Sequence, residues 1–151
     1  MELGKRLTEA RDEVLDDAYA GLQQTTHTHY ERQGEAFTRA RLAELFDLVV
    51  VAIDDRELAA LSAHADSIAA ERFTSGFDIS EVQAAFNALE VAMWRRVVAS
   101  TDLENLAEAI GLLSTVMGFA KDTLARKYIS LASDRHVHSL DMSALFKGVS
   151  S

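Results

Sequence analysis

Residues 71–82, with the sequence ERFTSGFDISEV, predict a sharp corner between two helices. Gly76 stands where a helix ends in a left-handed residue, a backbone conformation that strains any side chain. Asp78 follows as the N-cap of the next helix, and Glu81, three residues later, completes a capping box. Local physics alone predicts an ordinary interhelical corner here, without a catalytic signature.

The composition around this corner favours a single all-α domain. The chain has 151 residues, about the size of one domain, and 48% of them are hydrophobic. It has no proline and only seven glycines, whereas a β-rich fold of this length needs many turns built from both residues. We therefore predict an all-α, five-helix bundle with a long C-terminal helix.

The charge and the residues that are missing exclude several classes of function. A formal net charge of −9 and a pI of about 4.9 leave no basic face for nucleic acid or an anionic membrane. The absence of cysteine excludes disulfides, thiolate metal sites and cysteine nucleophiles. The longest apolar run, residues 45–53, is interrupted by Asp47 and is too short to span a bilayer. Since the N-terminus has no apolar signal core, we expect a cytoplasmic protein.

Hydrophobic spacing and capping signals set the helix boundaries. Two further patterns match the box at the corner: Asp54 with Glu57, and Thr101 with Glu104. The polar residues 23–33 fit either a loop or an exposed helix. The five predicted helices span residues 2–22, 35–53, 54–76, 79–99 and 102–133.

No repeat or linker divides the chain, so we assign residues 1–136 to one helical domain. Residues 137–151 form a tail that either docks on a partner as a short amphipathic helix or folds back on the domain.

The last predicted helix carries two apolar stripes. One falls at heptad spacing, through Leu103, Ile110, Met117, Leu124 and Leu131. A second stripe lies on a neighbouring face, and the second helix ends in an apolar stretch that implies burial on several sides. One stripe is expected to meet the domain itself and the other either another helix or a second subunit. The dimer-interface candidates are Leu112, Val116, Phe119, Val50 and Val51.

Two His-x-His pairs are weak metal candidates: His27 with His29, and His136 with His138. Neutral imidazoles bind zinc, copper, nickel or iron. Residues two apart on a helix point about 200° apart, however, so either pair chelates only where the chain is extended. Solvated histidines without a function are the favoured interpretation, and we expect no metal.

His64 and Trp94 are weak candidates for a cofactor or small-ligand site. His64 lies beside an apolar stripe and has two interpretations, an axial haem ligand or a boundary histidine with its polar edge in water. Trp94 is interpreted first as a core or interface aromatic, and second as the wall of a pocket. No Ser-His-Asp order, phosphate loop or glycine-rich nucleotide turn is present. We therefore expect neither a cofactor nor an enzyme.

From about residue 15 to residue 132 the chain resembles the N-terminal domain family of RsbRD-type proteins, the RsbT co-antagonists of bacterial stressosomes. The resemblance lies in the apolar second helix ending at residues 51–54, the small-residue third helix, the corner at 72–82, the fourth helix with Trp94, and the long fifth helix. It implies a globin-like, all-α fold that lacks haem, pairs as a homodimer, and serves as a sensory or interaction module without catalytic residues.

Members of this family usually join an output domain after the last helix, whereas this chain ends soon after it. The chain is therefore expected to be either an excised fragment or a free-standing regulator. The predicted function is a signal-input or protein-interaction module of a bacterial stress pathway, whose partners are a second copy and a downstream regulatory protein or output domain. A small-ligand or haem-binding carrier is the first alternative, and a metal-dependent enzyme of the helical-bundle type is the second.

Overall fold

The computed structural model describes the backbone of residues 2–25 and 28–150, and the side chains of residues 3–25 and 29–135. All regular structure in these residues is α-helical, as predicted. The helices are α1 (Glu2–Glu9), α2 (Arg11–Gln23), α3 (Thr28–Gln33), α4 (Glu35–Asp55), α5 (Ala59–Thr74), α6 (Ile79–Ser100) and α7 (Leu103–Ser150). The described helices thus number seven rather than the predicted five, and the likeness to a globin stays a prediction.

One extra helix arises because the predicted first helix is broken at Ala10. This residue has φ −100° and ψ 13°, and its N–H is shared between the carbonyls of Arg6 and Leu7. Neither proline nor glycine causes the break. The apolar stripe continues through both halves, since Leu7 and Val14 are each 1% exposed. Because of the break, α1 packs against α4 and α6, while α2 packs mainly along α6. The other extra helix is α3, in the polar stretch 23–33 whose sequence fits either a loop or an exposed helix.

The predicted box at Asp54 and Glu57 is wrong. Helix α4 continues through Asp55 and ends at Arg56, which adopts the left-handed conformation with φ 54°. The Asp54 carboxylate lies instead against Gly4 of α1, where even a Cβ atom would collide with it. Glu57 still serves the next helix, because its carboxylate accepts the Ala59 N–H at 2.9 Å.

The predicted corner is confirmed. Gly76 has φ 87° and its N–H bonds to the Phe73 carbonyl at 3.1 Å, while the Phe77 N–H bonds to the Arg72 carbonyl at 2.9 Å. These two bonds are the pair that defines a Schellman motif. Asp78 then caps α6, and both halves of its box with Glu81 are formed. The third predicted box is wrong, because α7 begins at Leu103 and the buried Thr101 hydroxyl has no hydrogen-bond partner.

Helix α7 forms the centre of the core and packs against α5 and α6. Its heptad positions Leu113, Met117, Ala120 and Leu124 are fully buried, whereas Leu103 at the start of the predicted seam is 89% exposed. The backbone remains helical through Ser150, well past residue 133. The division into a domain and a tail stays a prediction. None of the described helices is long and apolar enough to cross a membrane.

Replacing Gly76 with alanine should lower the free energy of unfolding by about 1–2 kcal/mol, because φ 87° strains any L side chain. A Cβ here meets only His29 Nε2 at 3.6 Å, an ordinary contact, so the loss is conformational. Gly111→Ala is the matched control. Gly111 is helical with open space around it, and alanine there should stabilise by up to about 1 kcal/mol. Equal effects at both sites in urea unfolding would contradict this reasoning.

Candidate functional site

A buried arginine lies at the centre of the corner. Arg72, in the last turn of α5, is 1% exposed although its guanidinium carries a permanent charge. Three aromatic rings surround the guanidinium carbon, with centroids 5.9 Å away in Tyr30, 4.9 Å in Phe37 and 5.5 Å in Phe77. Their π faces attract a cation, and the arginine therefore joins α3, α4 and α5 to the loop before α6.

Arg72 is satisfied only in part. Its Nη1 lies 2.6 Å from Glu71 Oε1, and Glu71 is half exposed to solvent. Its Nε is buried and has no hydrogen-bond partner. Burial raises the pKa of Tyr30, and the positive charge of Arg72 opposes that rise. The cluster is thus a mostly apolar environment around one strong positive charge.

Glu81 is the second buried charge at the corner, and it binds α3. Its carboxylate accepts the backbone N–H of His29 at 3.0 Å and that of Asp78 at 3.1 Å. The His29 Nδ1 lies 2.7 Å from Glu81 Oε1. Burial would raise the pKa of Glu81, but these hydrogen bonds outweigh it and lower the pKa below its ordinary value of 4.5. One carboxylate therefore caps α6 and also fixes α3 against it.

Tyr128 connects α7 to the same corner. Its hydroxyl donates a hydrogen bond to the Phe77 carbonyl at 3.1 Å, and its ring meets the Phe73 ring edge-on at 5.8 Å between centroids. Burial raises the pKa of the Tyr128 hydroxyl. We call the joined side chains the corner cluster; its members are His29, Tyr30, Phe37, Arg72, Phe73, Phe77, Glu81 and Tyr128.

Two cavities border the corner cluster. An open cleft of about 260 Å³ lies between α2, α3 and α4, with Tyr30 and Thr38 in its wall. A much smaller cavity of about 10 Å³ also touches these two residues and continues to Arg41 and Arg72. A third space, an open groove of about 580 Å³, lies elsewhere, between α2 and α6.

Of the four histidines proposed as metal candidates, the structure describes the side chain of one, His29. His29 is engaged with Glu81, while His27 and the side chains of His136 and His138 lie outside the described residues. Among the side chains that are described, no three His, Asp or Glu residues form a group able to hold a metal ion.

His64 and Trp94 occupy unrelated places. His64, on α5, is half-buried, and its buried Nε2 has no hydrogen-bond partner. Burial lowers the pKa of His64, and it does not line any of the three cavities above. Trp94 is 43% exposed on the outer face of α6, so its interpretation as a core residue is wrong.

The dimer-interface candidates differ in exposure. Val116 is 3% and Val50 is 7% exposed, so each is covered within the chain. Leu112 and Phe119 are half-buried, and Val51 is 45% exposed. Whether any of the five meets a second copy stays a prediction.

Comparison with known families gives the context for this corner. The family model of the RsbT co-antagonist protein rsbRD N-terminal domain matches residues 6–138. The chain belongs to this family. The resemblance read from the sequence is therefore confirmed, and the match spans every member of the corner cluster. No curated protein and no solved structure matches the chain significantly.

Membership in the RsbRD N-terminal family makes this chain a stressosome-related regulatory input domain. The sequence pointed to the corner through Gly76 and Asp78 but missed what surrounds it. Nothing in the sequence indicated that Arg72 is buried, and His29 was interpreted as one of a solvated pair. The available local signal was the pair of aromatic residues that flank the turn, Phe73 and Phe77, whereas Tyr30 and Phe37 are distant in the sequence.

Proposed function

We propose that this domain is a non-catalytic signal-input and protein-interaction module of a bacterial stress pathway, working as a homodimer in the cytoplasm. A ligand or partner shifts the packing at the corner cluster, and α7 carries the shift toward a downstream regulatory protein or output domain. The observation that carries the interaction role is an apolar surface on α6 that the chain itself leaves uncovered.

This surface consists of Val91, Trp94 and Val98. The three residues are spaced i, i+3 and i+7, and so they lie on one face of α6. Their exposures are 48%, 43% and 41%, respectively. Single exposed apolar residues are ordinary, but an unbroken stripe of three large ones is typical of an interaction site. We call it the α6 stripe.

A second copy is the occupant that fits the α6 stripe best. The open groove between α2 and α6 borders the same face, with Val91 in its wall. A twofold axis through this face would let each Trp94 enter the groove of the other copy. The groove is flanked by opposite charges, Asp17 on α2 and Arg95 on α6, which supports self-complementary pairing across that axis.

The long α7 supports the direction of signalling. Tyr128 binds the Phe77 carbonyl at the corner, and the α7 backbone continues as a helix through Ser150. A packed helix moves between discrete arrangements rather than deforming continuously, so a change at the corner reaches the C-terminal end of α7. In this scheme the signal enters at the corner cluster and leaves at the C-terminal end of α7, and neither step requires a catalytic residue.

Replacing Trp94 with glutamate should convert the dimer into a monomer, because a buried unpaired carboxylate would replace the central apolar anchor of the interface. Sedimentation velocity of the purified domain measures this directly. Ile129→Glu is the matched control, since Ile129 is 63% exposed on α7 and lies outside the α6 stripe. A wild-type monomer would overturn the proposal, and so would a Trp94→Glu variant that sediments as the wild type does.

A small-ligand sensor is the second candidate, and the cleft of about 260 Å³ beside Tyr30 supports it. Its size approaches that of ordinary ligand sites, and its wall includes a member of the corner cluster. A co-purifying small molecule in native mass spectrometry would favour this version. A Soret absorbance band would indicate haem. His64, the candidate haem ligand, lines none of the three cavities described above.

A further inference from the structure

His64 lies on α5 with one edge of its ring in the interior of the domain. Its neighbours along the same helix face, Leu61 and Ile68, are 1% and 5% exposed. Its Nε2 atom is buried and has no hydrogen-bond partner among the described residues. The side chain as a whole is half-buried, so this titratable group borders both the core and the solvent.

A second proton changes what the buried edge of His64 requires. In a neutral imidazole one ring nitrogen carries a hydrogen and the other is an acceptor, whereas an imidazolium donates from both. Neutral His64 can keep its hydrogen at Nδ1 and leave Nε2 as a bare acceptor. Protonated His64 must bury an N–H group that has no acceptor, and this costs more free energy when the group belongs to a charged ring.

Two guanidinium groups already place positive charge near His64. The guanidinium carbons of Arg41 on α4 and Arg72 on α5 lie 5.2 Å and 4.9 Å from the centroid of the Phe37 ring. Arginine does not lose its proton in proteins. An imidazolium at His64 would therefore be a third cation where α4 packs against α5.

Each of the two arginines is paired with one carboxylate. Arg41 Nη2 lies 3.2 Å from Glu44 Oε1, and Arg72 Nη1 lies 2.6 Å from Glu71 Oε1. Both glutamates are about half exposed, so solvent screens their charges. Two carboxylates thus balance two cations, and they would have to balance three once His64 is protonated.

Burial is the largest cause that lowers the pKa of His64. The charge of Glu44 opposes this effect. The charges of Arg41 and Arg72 reinforce it, and the charge of Glu71 opposes it. These four side chains are the charged groups that act on His64 from α4 and from its own helix. The folded state therefore favours the neutral ring.

We propose that His64 is an acid-sensitive contact between α4 and α5: a proton added to its ring places a third cation beside Arg41 and Arg72 and loosens the two helices from each other. Phe37 and Arg72 belong to the corner cluster, so the loosening reaches that cluster and, through Tyr128, α7. A fall in pH is then an input signal for the module, and only this signalling role rests on the proposed function.

The direction of the pH effect follows from the preference for neutral His64. The stabilisation from His64 is fully present above the ordinary histidine value of 6.5 and is lost as the pH falls through the lower folded-state pKa. Ordinary carboxyl groups stay ionised down to about pH 5. Between about pH 7.5 and about pH 5, histidines are therefore the side chains that change their charge.

The first test is an NMR titration of the histidine Cε1–H signals in the purified domain. The His64 signal is assigned by its loss in His64→Gln, and its midpoint should lie below 6.5. Arg41→Gln should raise this midpoint, and Glu44→Gln should lower it further, because the two charges act in opposite directions. Arg39→Gln is the matched control and should leave it unchanged, since Arg39 stacks instead on Tyr19.

The second test compares the Tm of the wild type and of His64→Gln at about pH 7.5 and about pH 5. The other four histidines are common to both proteins, so their effects cancel in this comparison. Relative to His64→Gln, the wild type should lose about 1–3 °C on acidification, a modest shift because His64 is only half-buried. Amide exchange in residues 65–74, corrected for the intrinsic effect of pH, should accelerate in the wild type alone.

A midpoint at or above 6.5 would overturn the proposal, and so would a loss of Tm that His64→Gln retains in full. Midpoints that move in neither Arg41→Gln nor Glu44→Gln would overturn it as well, since the named charges would then not act on His64. If His64→Gln does not fold, the titrations of the wild type and of these two variants decide. A wild-type monomer in sedimentation would contradict the proposed dimer but would leave these outcomes unchanged.

Discussion

Replacing Arg72 with alanine is expected to lower the free energy of unfolding by about 3–5 kcal/mol, the largest loss for any charged residue of the described fold. The alkyl stem of Arg72 is buried, and its guanidinium is surrounded by the rings of Tyr30, Phe37 and Phe77. Truncation would leave a void where three helices meet. Urea unfolding followed by circular dichroism measures the change, provided the m-value stays constant.

The size of this effect depends on burial rather than on charge pairing. Arg39 is the matched control, because its guanidinium also stacks on a ring, that of Tyr19 at 4.5 Å, and bonds to Asp16 and Glu35. Its side chain is 38% exposed, so solvent screens its ion pairs and Arg39→Ala should cost far less than Arg72→Ala. Equal losses at Arg39 and Arg72 would show that the aromatic surroundings of Arg72 contribute little.

The Arg72→Lys variant distinguishes the contribution of the positive charge from that of the planar guanidinium group. Arg72→Lys retains a positive charge near Glu71 but lacks the planar group that stacks on the rings. We expect Arg72→Lys to lower the free energy of unfolding by about 1–3 kcal/mol, which is less than the loss for Arg72→Ala. A lysine variant as stable as the wild type would mean that only the charge matters at this position.

Replacing Glu81 with alanine is expected to destabilise the fold by about 2–4 kcal/mol. The change removes the capping box of α6 and leaves the backbone N–H groups of His29 and Asp78 without their acceptor. It should also release α3, which would show as faster amide exchange in residues 28–33 than in the core of α7. Glu13→Ala is the control, because Glu13 pairs with Arg96 at a largely exposed site.

The Glu81 contribution should vanish in acid. Because hydrogen bonds lower the pKa of Glu81 below 4.5, the folded state favours the ionised carboxylate. The stabilisation is fully present above pH 4.5 and is lost as the pH falls through the folded-state pKa. The stability difference between wild type and Glu81→Gln should therefore shrink below that pH. A difference that is independent of pH would contradict the role of the charge.

The capping signals show where local sequence was sufficient and where it was not. The box at Asp78 formed because its partners are three residues apart and the preceding Gly76 allows the turn. The same pattern at Asp54 did not form, because the Asp54 side chain lies against Gly4 of α1 and α4 continues past it. A capping box contributes about 1 kcal/mol, and packing between helices can exceed that.

The stripes of α7 show a similar division. Heptad spacing placed Met117 and Leu124 in one stripe, and both are fully buried, because residues on one face of a helix share an environment. It did not show which of two stripes the chain would cover with its own helices. Val116 proved to be buried, whereas Trp94 on α6 proved to be exposed. Apolar character alone does not distinguish a core position from an interface position.

By itself, the sequence determined the helical class, the corner at Gly76 and the family, since helix propensity, glycine geometry and capping act over a few neighbouring residues. Only the tertiary structure decided that Arg72 is enclosed by aromatic rings, that Glu81 bonds to His29, and that Tyr128 bonds to the corner. The residues of the last two pairs are 52 and 51 positions apart in the chain. Contacts between distant segments arise from the way whole helices pack, and no local pattern records them.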